Sequence, residues 1–190
     1  NMAFFDSLTE LPNRILLADR LRQAMLAARR SGCKVSLAYL DLDGFKEIND
    51  RLGHEVGDRV LVTIAERLTA ALREADTVAR LGGDEFIIVL PEQNDVAKVT
   101  SLIARLLRRI AEPIDIEGTS LHVSGSIGVV HYSPDDEIEP EQLIRQADQA
   151  MYQAKQAGKN RFHIFDVEHD RAVRGHHESL ERIREALTND

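Results

Sequence analysis

The chain has 190 residues, of which 43% are hydrophobic and 29% charged, and a formal net charge of −8; this suits one domain with a well-buried core plus a helical appendage. Such acidity excludes gripping a nucleic acid polymer through a broad basic face, so any nucleotide would have to be held locally. No run approaches the roughly eighteen apolar residues of a membrane span, the N-terminus lacks a signal-peptide layout, and Cys33 is the only cysteine, which excludes an intrachain disulfide or a cysteine-based zinc site and predicts a cytoplasmic setting, with any membrane or sensor segment outside this piece.

Taken in order, residues 4–14 read as an irregular lead-in closed by Pro12-Asn13 at a helix start. A helix is expected over 14–30, where Leu16, Leu17, Leu21, Ala24, Met25 and Ala28 recur at helical spacing before Ser31-Gly32. Cys33 is expected to be a small buried residue near the next strand. The apolar run of residues 34–42 predicts a central buried strand. It ends in Asp41-Leu42-Asp43-Gly44-Phe45-Lys46, carboxylates followed by a glycine and a short helix. Alternation puts Asp41 and Asp43 on one side, where they form the metal end of a phosphoryl-transfer site or solvate a loop.

Asn49, Asp50, Gly53, His54, Gly57 and Asp58 read as a polar, glycine-punctuated connection, with His54 structural or capping, and a helix is expected from about residue 55 to 73. Two short β-rich runs, 77–81 and 86–90, flank Gly82-Gly83 and predict a hairpin, with Pro91 closing its second strand. Asp84 and Glu85 in that turn admit two local readings, a metal–nucleotide site or a solvated acidic turn. An amphipathic helix follows over 95–111, then a second hairpin of residues 113–116 and 121–132 turning at Glu117-Gly118-Thr119, a helix opening at Pro140, and a last strand over 162–165. Lys155, Lys159 and Arg161 form a basic cluster that suits either a phosphate or the negative end of a helix dipole. Residues 167–187 read as a charged helix with a thin seam of Val173, Leu180, Ile183 and Leu187, a linker or partner-facing arm. Hairpins mixed with helical crossovers predict an α/β fold whose sheet is mostly antiparallel and flanked by helices.

Gly82-Gly83-Asp84-Glu85-Phe86 resembles the signature of the GGDEF family, the diguanylate cyclases. The resemblance extends over about residues 6–166 through Asp6-Ser7-Leu8-Thr9, Asp41-Leu42-Asp43-Gly44-Phe45-Lys46, Asn49-Asp50, Gly53-His54-Glu55-Val56-Gly57-Asp58, Ala147-Asp148, Met151-Tyr152 and residues 155–160. It implies a ferredoxin-like core similar to the nucleotide-cyclase and polymerase palm, and condensation of two GTP into cyclic di-GMP and pyrophosphate by two GTP-loaded domains meeting as a transient homodimer. It further implies that Asp41, Asp84 and the Leu42 carbonyl hold Mg²⁺ or Mn²⁺, with Glu85 a further catalytic carboxylate. Asn49 and Asp58 would read guanine, and Gly44, Phe45, Lys46, Gly82, Gly83, Lys155 and Lys159 would line the substrate site. Many members carry Arg where Lys159 stands, so a point charge replaces a bidentate fork there.

Arg73-Glu74-Ala75-Asp76 is similar to the family's RxxD product-inhibition site; a helix-end salt bridge is the other reading of Arg73 and Asp76. The stretch of residues 11–21 resembles the opening of a GGDEF domain that precedes an EAL phosphodiesterase domain. Residues 1–166 are thus expected to be the GGDEF catalytic domain and 167–190 a linker helix, with sensory and EAL domains as attached partners outside this chain. A catalytically silent, GTP-binding regulator of such a phosphodiesterase is the alternative function.

Overall fold

A computed structural model describes residues 3–166; the expected linker helix of 167–190 lies outside the described residues. The elements are α1 (Arg14–Ser31), β1 (Lys34–Asp43), α2 (Phe45–Leu52), α3 (His54–Ala71), β2 (Thr77–Gly82), β3 (Glu85–Gln93), α4 (Val96–Ile110), β4 (Ile114–Ile116), β5 (Thr119–Leu121), β6 (Ser124–Tyr132), α5 (Pro140–Gln156) and β7 (Arg161–Ile164). Local chemistry explains several boundaries. Asn13 caps α1 by accepting from the Ile15 and Leu16 amides, and Gly32 ends it in the left-handed conformation, φ 79°. A capping box of Glu139 and Gln142, with Pro140 in the first turn, opens α5.

Five strands form the main sheet in the order β2-β3-β1-β6-β7. All neighbours are antiparallel except β6 and β7, so the expected mostly antiparallel α/β architecture is present. Strand β1 is central because both of its faces are covered, and eight of its ten residues are buried. On one face, Leu17, Leu21 and Met25 of α1 and Leu143, Ala147 and Met151 of α5 pack against Leu37, Tyr39, Ile87 and Val130. On the other, α3 and α4 bury Val60, Ile64, Leu68, Ile103 and Leu106 against Ala38, Leu40, Phe86 and Ile127.

The structure corrects the sequence reading in several places. The polar stretch around residues 49–58 is two helices rather than a connection: only Gly53, at φ 91° and ψ 163°, breaks the chain, and Gly57 sits inside α3. Helix α3 begins at His54 and ends at Ala71; its N-cap is Gly53, with no side-chain cap, so His54 is an exposed first-turn residue and caps nothing. The second hairpin is only β4 and β5, paired Ile114↔Leu121 to Ile116↔Thr119. The run expected as its second arm is β6, which instead pairs with β1 over nine residues, a longer ladder than the three-residue hairpin offers. Pro91 lies within β3; β2 pairs no further than Val89, and the register against β1 shifts there, so no ladder bond is lost. Cys33 is half-buried, not buried, because it precedes the covered part of β1. The last strand starts and ends one residue earlier than expected.

Close helix–sheet contact at Gly128 of β6 holds α5, and hence its C-terminus, in position. A Cβ there would overlap the Ala147 carbonyl oxygen and the Met151 amide, both backbone atoms. Gly128→Ala is therefore expected to lower the unfolding free energy by about 1–3 kcal/mol, read from urea titration; unchanged stability would contradict this packing.

Candidate active site

The carboxyl end of β1 brings together side chains distant in sequence. In the register, Asp41 stands opposite Glu85 on β3 and Ser126 on β6, and Asp43 stands opposite Ser124. The Leu42 amide donates to the Asp84 carbonyl at 3.3 Å, which ties the glycine turn to β1. From the end of α5, the Lys155 ammonium reaches Asp41 Oδ2 at 3.1 Å and Asp43 Oδ1 at 3.4 Å. Burial alone would favour neutral Lys155, but these two carboxylates outweigh it and keep the amine charged.

Asp41 and Asp84 are short of positive charge. Asp41 Oδ1 is buried and has no hydrogen-bond partner. Burial, reinforced by the adjacent Asp41, pushes the Asp84 carboxyl up to about 7, although Lys155 pulls the other way. Two such carboxylates fit a divalent cation bound through hard oxygens. Among the described residues no three His, Cys, Asp or Glu side chains form a ready cage, so a cation here would draw its other ligands from backbone, substrate phosphate or water, the habit of Mg²⁺. Glu85, opposite Asp41, is oriented by Tyr39: its Oε2 accepts from the Tyr39 hydroxyl at 2.7 Å, and burial and that carboxylate push the tyrosine pKa up.

The turn itself needs its glycines for conformation, with φ 143° at Gly82 and 52° at Gly83, while the space where their Cβ atoms would sit is open. Arg80 holds the turn by donating through Nε to the Gly83 carbonyl at 3.0 Å and through Nη1 to Asp6 at 2.9 Å. The lead-in is irregular as expected, turns with one isolated bridge between Phe5 and Pro12, yet it clamps the glycine turn. Its Asp6 also accepts from the Thr9 amide and hydroxyl, and the Pro12 carbonyl accepts from the Arg80 amide on the edge strand. Burial opposes ionisation of Asp6, but the Thr9 and Arg80 bonds outweigh it and hold the carboxyl below the usual range.

The remaining expected site residues fall in four places. Gly44, at φ 82°, caps α2, with Phe45 buried and Lys46 exposed in its first turn. Asn49 of α2 meets Gly57 of α3: a Cβ at Gly57 would overlap Asn49 Oδ1, which is buried without a partner. Asp58 is exposed on the turn of α3 beside it, and Lys159 is exposed in the loop after α5. Arg73 and Asp76 lie apart from these, near the start of β2. They bind each other, with Nη2 to Oδ1 at 2.8 Å and the Arg73 amide to Oδ2 at 2.8 Å, and Arg73 also donates to the Pro91 carbonyl. Glu74 and Ala75 between them line a groove of about 630 Å³ shared with Arg20 and Arg30 of α1.

Sequence reasoning gave no site role to Asp6, Tyr39, Arg80, Ser124 or Ser126, although Asp6 stands in the first motif of the family resemblance. Only the serines carried a local signal, a same-face pair two residues apart on a strand; the others meet their partners across long loops.

Folding raises the Asp84 pKa from about 3.9, the ordinary carboxyl value, to about 7. The folded state therefore binds the extra proton in that window, and the associated stability, full at low pH, is lost as pH rises through about 7. In chelator, the Tm is expected to fall between about pH 4 and 7, and Asp84→Asn should flatten the decline; the same slope in the variant would contradict the assignment.

Comparison with known proteins agrees with this fold. Residues 3–161 match the family described as "Diguanylate cyclase, GGDEF domain". The bifunctional diguanylate cyclase/cyclic di-GMP phosphodiesterase MucR of Pseudomonas aeruginosa is 40% identical over 186 residues, covering 98% of this chain but 27% of MucR. The chain spans about a quarter of the length of such curated relatives. The isolated GGDEF domain of TpbB (YfiN) from Pseudomonas aeruginosa superposes with a TM-score of 0.85 at 38% identity, covering 90% of this chain and 99% of that one. The coiled coil and GGDEF domain of DgcB from Caulobacter crescentus, solved with c-di-GMP, gives 0.79 at 28% identity and 86% coverage of each chain. The palm-like cyclase fold and the sequence match together make this chain a member of the GGDEF diguanylate cyclase domain family.

Proposed function

We propose that the domain is a metal-dependent diguanylate cyclase that condenses two GTP into cyclic di-GMP. The observation that carries this reading is a pair of buried, unpartnered acceptor oxygens, Asp41 Oδ1 at the end of β1 and Asn49 Oδ1 on α2. One lacks a cation and the other a hydrogen-bond donor, and a metal-bound guanine nucleotide supplies both.

Asp41, Asp84 and the Leu42 carbonyl would hold a divalent cation, magnesium or manganese. When bound, it lowers the cost of forming the attacking 3′-oxygen and stabilises charge at the α-phosphate and on the leaving pyrophosphate. Asn49 accepts from the base, and Asp58 accepts from the guanine ring N–H and exocyclic amine, a donor pair adenine lacks. The backbone N–H groups at Gly44 and Phe45, at the start of α2, favour phosphate oxygens, and Lys46, Lys155 and Lys159 add charge. Gly82 and Gly83 leave open space beside the carboxylates. Glu85, oriented by Tyr39, is the further carboxylate available to take a proton. In the reaction each 3′-oxygen attacks the α-phosphorus of the other GTP, two P–O bonds form, and two pyrophosphates leave. A single domain presents one half of this arrangement, so two GTP-loaded copies meet as a transient homodimer.

Asp76 holds Arg73 in a fixed pose with its guanidinium at the surface, which suits a product-inhibition site where Arg73 contacts phosphate or stacks on a base. The DgcB structure with c-di-GMP supports a product-binding role for this fold. The bifunctional relative MucR favours the second reading, a GTP-binding regulator of an attached phosphodiesterase. It predicts GTP binding without turnover even when dimerisation is forced.

Purified protein with GTP and magnesium should produce cyclic di-GMP at a specific rate that rises with protein concentration. Asp84→Ala should remove roughly a thousandfold or more of that rate, about 4 kcal/mol of barrier, with an unchanged circular dichroism spectrum; near-parent activity would refute the role. Arg73→Ala is expected to weaken product inhibition about tenfold or more, measured from initial rates with added cyclic di-GMP, and unaltered inhibition would remove this site from regulation.

A further inference from the structure

The two aspartates of β1 differ in what their oxygens have left to give. Asp41 keeps a buried oxygen without a partner. Asp43, whose side chain is 7% exposed, is saturated: Oδ1 accepts from the Ser126 hydroxyl at 2.7 Å and from Lys155 at 3.4 Å, and Oδ2 accepts from the Ser124 hydroxyl at 2.7 Å and the Asn160 amide at 3.0 Å. Two partners per oxygen use the lone pairs that would otherwise bind a ligand.

Three of those partners are fixed points, two serines on β6 and a lysine on α5. The fourth is the backbone of a strained loop. Between α5 and β7 the chain takes three consecutive positive φ values, 127° at Gly158, 64° at Lys159 and 51° at Asn160. Only the first is a glycine, and side chains rarely adopt this region, so the loop holds its shape only where surroundings over-determine it. The restraints are the Lys159 amide on the Ala154 carbonyl at 3.0 Å, Arg161 Nε on the Lys159 carbonyl at 3.0 Å, and Asp43 on the Asn160 amide. Asp43 is the one that ties the loop to the strand carrying Asp41.

We infer that Asp43 is a positioning residue: it holds Lys155 and the Gly158–Asn160 bend against β1, so that the Lys155 and Lys159 ammonium groups stand where a nucleotide's terminal phosphates lie. This rests on the GTP reading above for its ligand, but the clamp itself does not. Ser124 and Ser126 act through Asp43 by presetting the direction of its oxygens.

The test separates clamp from ligand. Asp43→Asn keeps the shape but only one acceptor oxygen; the Lys155 cation draws that oxygen, which turns the new NH₂ toward the Asn160 N–H, a donor with no acceptor to offer. A Ser124→Ala/Ser126→Ala variant keeps the carboxylate and removes only its orientation. In ligand-free protein, hydrogen exchange at the Asn160 amide should quicken about tenfold in Asp43→Asn and less in the serine variant; an unchanged rate would overturn the clamp. Calorimetry with magnesium and 3′-deoxy-GTP, which has no nucleophile, should show affinity about tenfold weaker in Asp43→Asn, while affinity for GMP changes by less than about twofold. Equal losses for both nucleotides, or none for either, would overturn the link to the terminal phosphates. If the parent binds neither nucleotide, the GTP reading fails and takes the phosphate role with it, while amide exchange still decides the clamp. Should Asp43→Asn fail to fold, the serine variant must show the same pattern at smaller size, and its absence would overturn the proposal.

Discussion

One ammonium among three carboxylates governs this end of the molecule. Lys155 faces Asp41 and Asp43 directly, and burial, reinforced by the neighbouring Asp41, holds the Asp84 proton up to about pH 7. Such a cluster is tolerable only because one aspartate is fully hydrogen-bonded and another shares its charge with Lys155. The cluster still wants cationic charge, and that shortage is the physical basis for expecting a divalent ion. It also dictates architecture. Lys155 can reach β1 only if α5 lies tightly on β6, which Gly128 allows, and if β6 is the neighbour of β1.

The other wall of the cluster is held from outside. Arg80 is pinned between Asp6 and the Gly83 carbonyl, with 13% of its own side chain and 17% of the Asp6 side chain exposed. An ion pair so little exposed is a poor source of net stability, because desolvation offsets most of its attraction, but breaking it leaves an uncompensated charge. Its consequence is geometric. The left-handed glycine turn that carries Asp84 is joined to the lead-in before α1, and the edge strand β2 is covered by the same segment through the Arg80 amide.

Much of the fold was legible in the sequence, and the places where it was not share a cause. The long helices α1, α4 and α5, the buried strand β1 and the glycine hairpin came from periodicity and turn chemistry, both local properties. The region around residues 49–58 misled because polar residues and two glycines, Gly53 and Gly57, resemble a loop, yet only Gly53 leaves helical geometry; the polar faces of α2 and α3 carry the residues proposed to meet the base. The second hairpin was overextended because a three-residue strand and a nine-residue strand have the same alternation, and only partner choice distinguishes them.

What the sequence by itself determined is the set of chemical groups and their faces: acids ending a buried strand, glycines in a turn that requires positive φ, a basic helix end, and the resemblance those motifs carry together. Tertiary structure alone decided which acid is spent and which is free. Asp41 and Asp43 are indistinguishable by spacing, and Glu85 and Asp84 are neighbours, but Ser124, Ser126 and the Asn160 amide saturate Asp43 and Tyr39 engages Glu85. Hydrogen-bond capacity is consumed by partners from distant strands and loops, so the oxygens with capacity left for a ligand are those the fold leaves unsatisfied, and no local pattern encodes that remainder.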